Sequence, residues 1–334
     1  MNINSGDLPK ALERESAKGV LSPIWIILDN EPLLALEAGD LLRDSAKALG
    51  YTERVSLGYS ATSDWSGLLD ALTSVSLFDD QKLIELRFLS SGPGVKGAKI
   101  LAEFAKLAPT IDSITTVIYL PSPDYTLLRS AWYKALSTNA NVINCEAIAR
   151  SEYPQWIASR LRQQNQSMEA LAMEFFAEQT EGNLLAAKQE LMKLALLYPQ
   201  KELSLQEVQN CVMNVSRYSP DDLIESIGLG DVARVTRTIN GMQAEDEPLP
   251  FILMYLTGYL RDTLSLTLDQ RAFVRKNMQR SASALARRSS SAKIANMLAR
   301  CADLDRLSKG LTVKNRDTAW SELKTLCVFL AHGR

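Results

Sequence analysis

Histidine is almost absent from this chain of 334 residues, and the only one, His332, is close to the C-terminus. Histidine is the side chain that enzymes use most often for general acid–base catalysis, and the chain also lacks a nucleophile motif of the type Gly-x-Ser-x-Gly. Hydrolytic catalysis therefore has few groups to draw on. No catalytic residue is predicted, and the sequence favours a binding protein over an enzyme.

Cysteine and long apolar runs are also scarce. The four cysteines, Cys145, Cys211, Cys301 and Cys327, are far apart and form no Cys-x-x-Cys pair. This spacing fits neither a zinc module nor a disulfide framework, so we expect reduced thiols and no metal. The most apolar window, residues 251–260, is about half as long as a membrane span. No charged-then-apolar leader opens the chain, and we expect a cytoplasmic protein without a membrane partner.

One part of the chain contains no acidic residues. The formal net charge of −2 hides this uneven distribution of charge. We call residues 271–300 the basic zone, because this stretch contains no Asp or Glu. Its candidate contact residues are Arg271, Arg275, Lys276, Arg280, Arg287 and Arg288. They could form a helix surface that faces solvent or another subunit, or they could hold DNA by phosphate contacts. The overall acidity argues against a stand-alone nucleic-acid-binding protein, but that alternative stays open.

Two patterns divide the chain. Up to residue 148, short β-rich runs alternate with helical stretches, which is typical of a parallel sheet covered by helices. The predicted strands are 24–28, 54–57, 82–86, 115–120 and 142–145. Afterwards the β signal disappears and almost everything is predicted to be helical. We expect three domains: an α/β domain at 1–148, a small helical domain at 149–215 and a larger helical domain at 216–334.

The loops that would hold a phosphate in an α/β protein have the wrong residues. After the first strand comes Asp29-Asn30-Glu31-Pro32, which lacks glycine and lysine and carries two carboxylates that would repel phosphate. Residues 92–99 have the glycine spacing of a Walker A motif, but Ala98 takes the lysine position and Lys99 the Ser/Thr position. We expect no nucleotide and a flexible surface loop at 92–99. A divergent ATPase using that loop remains an alternative.

A short apolar segment follows a predicted helix and is stopped at once by Asp79-Asp80. We call Val75-Ser76-Leu77-Phe78 the apolar tip. The preceding helix has one apolar face at helical spacing, formed by Trp65, Leu68, Leu69 and Leu72. The tip begins after that face has ended. It could fold back into the core, or it could point outward and enter a groove on a partner.

Several short motifs, in order along the chain, carry a resemblance to a known family. They are Asp29-Asn30-Glu31-Pro32-Leu33-Leu34, Ser76-Leu77-Phe78 before a strand, Glu181-Gly182-Asn183-Leu184, Asp222-Leu223-Ile224 with Gly230-Asp231, Lys309-Gly310 and Trp320. None is decisive by itself, but their order and spacing are fairly specific. Over nearly its whole length the chain resembles the delta-subunit family of bacterial DNA polymerase III.

This resemblance implies a fold and a function. The fold would be an AAA+-like α/β domain without a working nucleotide site, a helical lid and a helical collar that packs into a pentamer. The function would be that of a clamp-loader subunit of the polymerase holoenzyme, which binds and opens the sliding clamp for loading onto primed DNA. It would have no chemistry and no cofactor of its own.

The resemblance also implies partners and a site. Leu77 and Phe78 would enter a hydrophobic cleft on the clamp, the beta subunit, with Val75 and Ser76 as supporting contacts. The gamma/tau and delta-prime subunits would bind through the collar, and primer-template DNA would be a partner in the assembled complex.

Overall fold

The computed structural model describes residues 1–74, 81–90, 92–121, 123–212, 216–311 and 316–332. The apolar tip at 75–78 lies outside the described residues. The chain forms two compact units, Met1–Tyr153 and Pro154–Arg334. The predicted division of the helical part into a lid and a collar at residue 215 stays a prediction.

The first unit is built on a six-stranded sheet in which all neighbouring strands are parallel. Its strands are β1 (Asn2–Asn4), β2 (Ile24–Asp29), β3 (Tyr51–Tyr59), β4 (Gln81–Phe88), β5 (Ile114–Pro121) and β6 (Asn141–Cys145). They lie in the order β1-β6-β2-β5-β4-β3. The helices between them are α1 (Leu8–Ser16), α2 (Pro32–Ala48), α3 (Ser66–Thr73), α4 (Gly94–Leu107), α5 (Tyr125–Arg129) and α6 (Ala131–Thr138).

Strand β2 shows why this sheet has a core on each face. Its side chains alternate between two apolar clusters: Ile24, Ile26 and Leu28 enter one, and Trp25 and Ile27 enter the other. A parallel strand buried on both faces is expected to be apolar throughout. This is why the strand could be predicted from an uninterrupted apolar run.

The helix starts follow from local chemistry. Helix α2 has Pro32 in its first turn, and the Glu31 side chain accepts a hydrogen bond from the backbone N–H of Leu33 at 3.3 Å. Helix α3 begins just after Asp64, which accepts from the backbone N–H of Ser66 at 3.0 Å. Its predicted apolar face is confirmed, because Trp65, Leu68 and Leu72 are buried.

The second unit consists mainly of helices. Its first group contains α7 (Tyr153–Gln163), α8 (Ala170–Thr180), α9 (Leu184–Leu197) and α10 (Leu205–Cys211). Its second group contains α11 (Pro220–Leu229), α12 (Val232–Ala244), α13 (Leu249–Leu268), α14 (Gln279–Arg288), α15 (Ser291–Ser308) and α16 (Arg316–His332). The second group surrounds a single large apolar cluster that includes Ile227, Ile239, Leu256, Ile294 and Leu326.

The expectation of no β structure after residue 145 was wrong in one detail. Two short strands, β7 (Ser167–Met168) and β8 (Glu202–Leu203), pair in parallel within the first helical group. Strand β1 at the chain start was also missed. Runs of two or three residues are too short to show an alternating or continuous apolar pattern. None of the helices in the described part of the chain combines the length and apolarity needed to cross a bilayer.

Candidate functional site

The segments on either side of the apolar tip are both well anchored. Helix α3 ends at Thr73 with Ser74 as its C-cap, and β4 begins at Gln81. The packing of α3, the start of β4 and the contacts between them show how the chain is held on both sides of the tip. The tip residues Val75, Ser76, Leu77 and Phe78 themselves are outside the described residues, and their predicted role stays a prediction.

Trp65 fixes α3 to the domain. Its indole Nε1 donates to the backbone carbonyl of Ser60 at 3.1 Å, and its ring lies 4.8 Å from the ring of Tyr59 and 5.3 Å from that of Phe88, between centroids. A Cβ atom at Gly97 of α4 would lie 2.5 Å from the Trp65 ring, so only glycine lets α4 pack this closely. Helix α3 is thus supported by two aromatic residues of the sheet and by a neighbouring helix.

A buried lysine joins the end of α3 to the start of β4. The ammonium of Lys82 lies 2.8 Å from Ser74 Oγ, 3.0 Å from the Ser74 carbonyl and 3.3 Å from the Ala71 carbonyl. Its side chain is only 3% exposed, and the carboxylate of Glu53 on β3 lies 3.5 Å away. The sequence offered no signal for this contact beyond a lysine at the start of a predicted strand.

The loop after β2 is occupied by carboxylates. Glu31 takes up the N–H of Leu33 at the start of α2, where a phosphate would otherwise find donors. Burial raises the pKa of both Asp29 and Glu31. Burial, together with these two carboxylates, raises the pKa of the neighbouring Cys145 to about 12. The geometry of this loop disfavours an additional anion.

Residues 94–99 form the first turns of α4, which corrects the expectation of a flexible surface loop at 92–99. Steric contacts explain why glycine occurs at positions 94 and 97. Gly94 adopts φ +65°, and a Cβ there would lie 2.5 Å from the Ala61 carbonyl oxygen. Gly97 faces Trp65. Of the two glycines with Walker-like spacing, packing against Trp65 requires Gly97, whereas a Cβ at Gly92 would meet no atom within 4 Å.

Most basic side chains of the basic zone face solvent, but some of them are bound to other residues of the protein. Four of the candidate contact residues are exposed: Arg271, Lys276, Arg280 and Arg287. Arg275 is also exposed but its Nε donates to Asp262 on α13 at 2.9 Å, and a Cβ at Gly258 would collide with its guanidinium. Only part of the zone therefore presents unengaged positive charge to solvent.

Arg288 holds helix ends together. Its Nη1 donates to the Ala331 carbonyl at 2.7 Å, and its Nη2 donates to the carbonyls of Ile227 at 2.6 Å and Gly228 at 2.9 Å. These carbonyls belong to the last turns of α16 and α11, where backbone acceptors lack a partner within the helix. Arg288 was predicted as a candidate DNA or subunit contact, and its guanidinium is committed to these carbonyls.

A buried arginine brings together two of the motifs named above. Arg234 on α12 is 1% exposed, and its guanidinium contacts Glu181 at 2.7 Å, Glu225 at 2.7 Å and Asp222 at 3.2 Å. Glu181 precedes α9 in the Glu-Gly-Asn-Leu motif, and Asp222 lies in the Asp-Leu-Ile motif of α11. Sequence reasoning missed Arg234, because its three partners come from two distant segments: Glu181 precedes α9, and Asp222 and Glu225 lie on α11.

The described residues hold neither a disulfide nor a cluster suited to a metal ion. The four cysteines all lie in the described part of the chain, and none of them forms a disulfide. Within the same described ranges, no group of three or more His, Cys, Asp or Glu side chains could hold a metal ion.

Comparison with known proteins identifies the relatives. The family model described as DNA polymerase III, delta subunit, matches residues 25–146. The delta subunit of Escherichia coli K12 is 26% identical over 247 residues, which cover 74% of this chain and 71% of that protein. The delta subunit of Haemophilus influenzae is 26% identical over 269 residues, covering 80% and 77%. The resemblance to the delta subunit of DNA polymerase III is confirmed.

A solved structure extends the likeness to delta proteins over nearly the whole chain. The Bacillus subtilis DNA clamp loader delta protein aligns with a TM-score of 0.54 at 16% identity, covering 98% of this chain and 99% of that one. This likeness concerns the fold. The predicted fold class is confirmed in its architecture, an α/β domain with a parallel sheet followed by a mainly helical part.

Proposed function

We propose that the chain is a clamp-loader subunit that binds the sliding clamp and opens it for loading onto primed DNA. The observation that carries the proposal is the delta-subunit family match over residues 25–146, which includes the apolar tip. The proposed subunit performs no chemistry of its own. The Glu31 carboxylate supports this, because it accepts a hydrogen bond at the helix N-terminus that a nucleotide phosphate would use.

The proposed binding site is the apolar tip, with Leu77 and Phe78 as the main contacts and Val75 and Ser76 as supporting contacts. The apolar face of α3 is already filled by Trp65 and its neighbours, which pack into the sheet core. Full burial of a leucine or phenylalanine side chain in a partner's cleft contributes about 1.5–3 kcal/mol. Two such side chains at one point are enough to form a binding hot spot.

Clamp opening then follows from binding. A ligand shifts an equilibrium only by the difference between its affinities for the two states. The tip must therefore bind the open clamp more tightly than the closed clamp. Under this proposal, ATP is bound and hydrolysed by neighbouring subunits, and their state controls whether the tip meets the clamp.

The proposed partners beyond the clamp are the gamma/tau and delta-prime subunits, through residues 216–334, and primer-template DNA in the assembled complex. The basic zone serves one of these two contacts. A double charge reversal, Arg271→Glu with Arg280→Glu, distinguishes a contact with other subunits from a contact with DNA. Loss of subunit assembly at unchanged DNA binding supports the subunit contact, whereas weaker, less salt-dependent DNA binding at unchanged assembly supports phosphate contacts.

The experiment for the central site measures binding of the purified chain to its clamp without nucleotide. We expect the Leu77→Ala/Phe78→Ala variant to lose about 3–5 kcal/mol of binding free energy, or roughly two to four decades in Kd. The matched control is Leu171→Ala/Phe273→Ala, which removes the same two side-chain types from positions that are 64% and 87% exposed. Equal affinity of a folded tip variant and the wild type would refute the proposed site.

A further inference from the structure

Lys82 occupies a position where a charge is costly. It is the second residue of β4, its side chain is 3% exposed, and the three residues that follow it in the strand are buried. Removing an ammonium group from water is unfavourable unless its protons find acceptors. A side chain that only filled space there would be apolar, so the hydrogen bonds of Lys82 should explain its presence.

Among the described residues, the Lys82 ammonium donates three hydrogen bonds to the end of α3. The acceptors are the carbonyl of Ala71, the carbonyl of Ser74 and the hydroxyl of Ser74. The last carbonyls of a helix have no partner within it, and they carry the negative end of the helix dipole. The ammonium thus caps α3 from the next strand, while the backbone N–H of Lys82 donates to Ser113 at 2.8 Å and fixes it to the sheet.

This contact fixes the point at which the chain leaves α3. Ser74 is the last described residue before the apolar tip, and Gln81, directly before Lys82, is the first one after it. One buried side chain therefore links the exit point at Ser74 directly to the start of β4. Partner binding is strengthened when the binding residues are held in place beforehand, because less conformational freedom is lost.

We propose that Lys82 is a positioning residue for partner binding, which acts by holding Ser74 against β4. This inference rests on the proposed clamp-binding function and adds a residue that does not touch the clamp. Without the ammonium, α3 frays at its last turn and only a fraction of molecules presents the binding residues correctly. The apparent Kd rises as the inverse of that fraction.

The test replaces Lys82 by methionine, which has a similar length and no charge. Removing one partner of a buried polar contact lowers stability, so the full-length variant is first shown to be folded by circular dichroism, and binding is measured on the folded protein. We expect its Kd for the clamp to rise about tenfold, which is the rise produced when the binding-competent state is populated about one-tenth of the time. Hydrogen exchange should accelerate at the amide of Ser74, which donates to the Asp70 carbonyl at 2.8 Å, and stay unchanged within β4.

Two further variants keep the inference testable. Ser74→Ala removes one acceptor of Lys82 at the surface of the protein and should raise Kd about twofold to fivefold, since one of three hydrogen bonds is lost. Its effect should not add to that of Lys82→Met, because both disrupt one contact. Glu53→Gln removes the ion pair at 3.5 Å and leaves the capping hydrogen bonds, so we expect wild-type affinity.

The outcomes separate the inference from the function on which it rests. If the wild type binds the clamp and both Lys82→Met and Ser74→Ala bind equally well, Lys82 is not a positioning residue, whatever happens to the melting temperature. A purely structural role would lower the melting temperature and leave the affinity of the folded protein unchanged. A wild type that does not bind the clamp overturns the proposed function, and the role of Lys82 with it.

Discussion

Arg234 and Glu181 form a buried ion pair that joins α12 to the segment between α8 and α9. The guanidinium Nη2 lies 2.7 Å from Glu181 Oε1, and the arginine is 1% exposed. A second ion pair links Arg237 of α12 to Glu178 of α8 at 2.8 Å. The two helical groups of the second unit are thus connected by paired charges.

Breaking the Arg234 cluster should destabilise the protein strongly. Arg234→Met leaves three carboxylates without their shared cation, and breaking a buried ion pair costs about 3–5 kcal/mol. Urea unfolding of the full chain measures the free energy of unfolding. The control is Arg306→Met, which breaks an exposed pair with Asp303 and should cost at most about 1 kcal/mol. Similar losses for the two variants would contradict a special role for Arg234.

Acid should weaken the α/β domain through Glu85. Burial alone would raise the pKa of this carboxyl, but hydrogen bonds from Arg54 and Arg43 outweigh it, so the pKa of Glu85 is lowered. A group whose pKa is lower in the folded state stabilises the protein above its unfolded value and loses that contribution as pH falls through the folded value. We therefore expect stability to fall with acidification below about pH 4.5, the ordinary value of a glutamate carboxyl.

The Glu85→Gln variant tests whether Glu85 causes this loss of stability in acid. It should be less stable than the wild type at neutral pH, because Arg43 and Arg54 lose their partner, and its stability should depend less on pH in the acidic range. Urea midpoints at several pH values check both points. An unchanged acid dependence in the variant would assign the effect to other carboxylates.

Gly97 should matter for packing and not for nucleotide binding. A Cβ atom at this position would lie 2.5 Å from the Trp65 ring, and overpacking a core contact costs about 1–3 kcal/mol. Gly97→Ala should lower the urea midpoint. Gly92→Ala, where no atom lies within 4 Å of the added Cβ, should have little effect. Tight, magnesium-dependent binding of an ATP analogue by the wild type would instead support the divergent-ATPase alternative.

Adjacent arginines of the basic zone should behave differently. Arg288→Met removes three hydrogen bonds to carbonyls at the ends of α11 and α16 and should cost about 1.5–3 kcal/mol of stability. Arg287, its exposed neighbour, is the matched control, and Arg287→Met should change stability by no more than about 0.5 kcal/mol. If the two variants unfold at the same urea concentration, the capping contact of Arg288 contributes little.

The parts of the fold that could be predicted were those with strong local patterns. Strand β2 is a continuous apolar run, β5 is rich in β-branched residues, and Pro32 lies in the first turn of α2. The remaining features depend on distant residues. Arg234 meets Glu181 across 53 positions of sequence, and Lys82 looks like a surface residue until its position beside α3 is known. Short strands such as β7 give no periodic signal.

The measurement that tests the account most directly is the opening of the clamp by the chain alone. A fluorophore pair across the clamp interface reports the open fraction without nucleotide. The account predicts that the wild type increases this fraction and that Leu77→Ala/Phe78→Ala does not, while Leu171→Ala/Phe273→Ala acts like the wild type. A clamp that stays closed with the wild type bound, or opens equally with the tip variant, would contradict it.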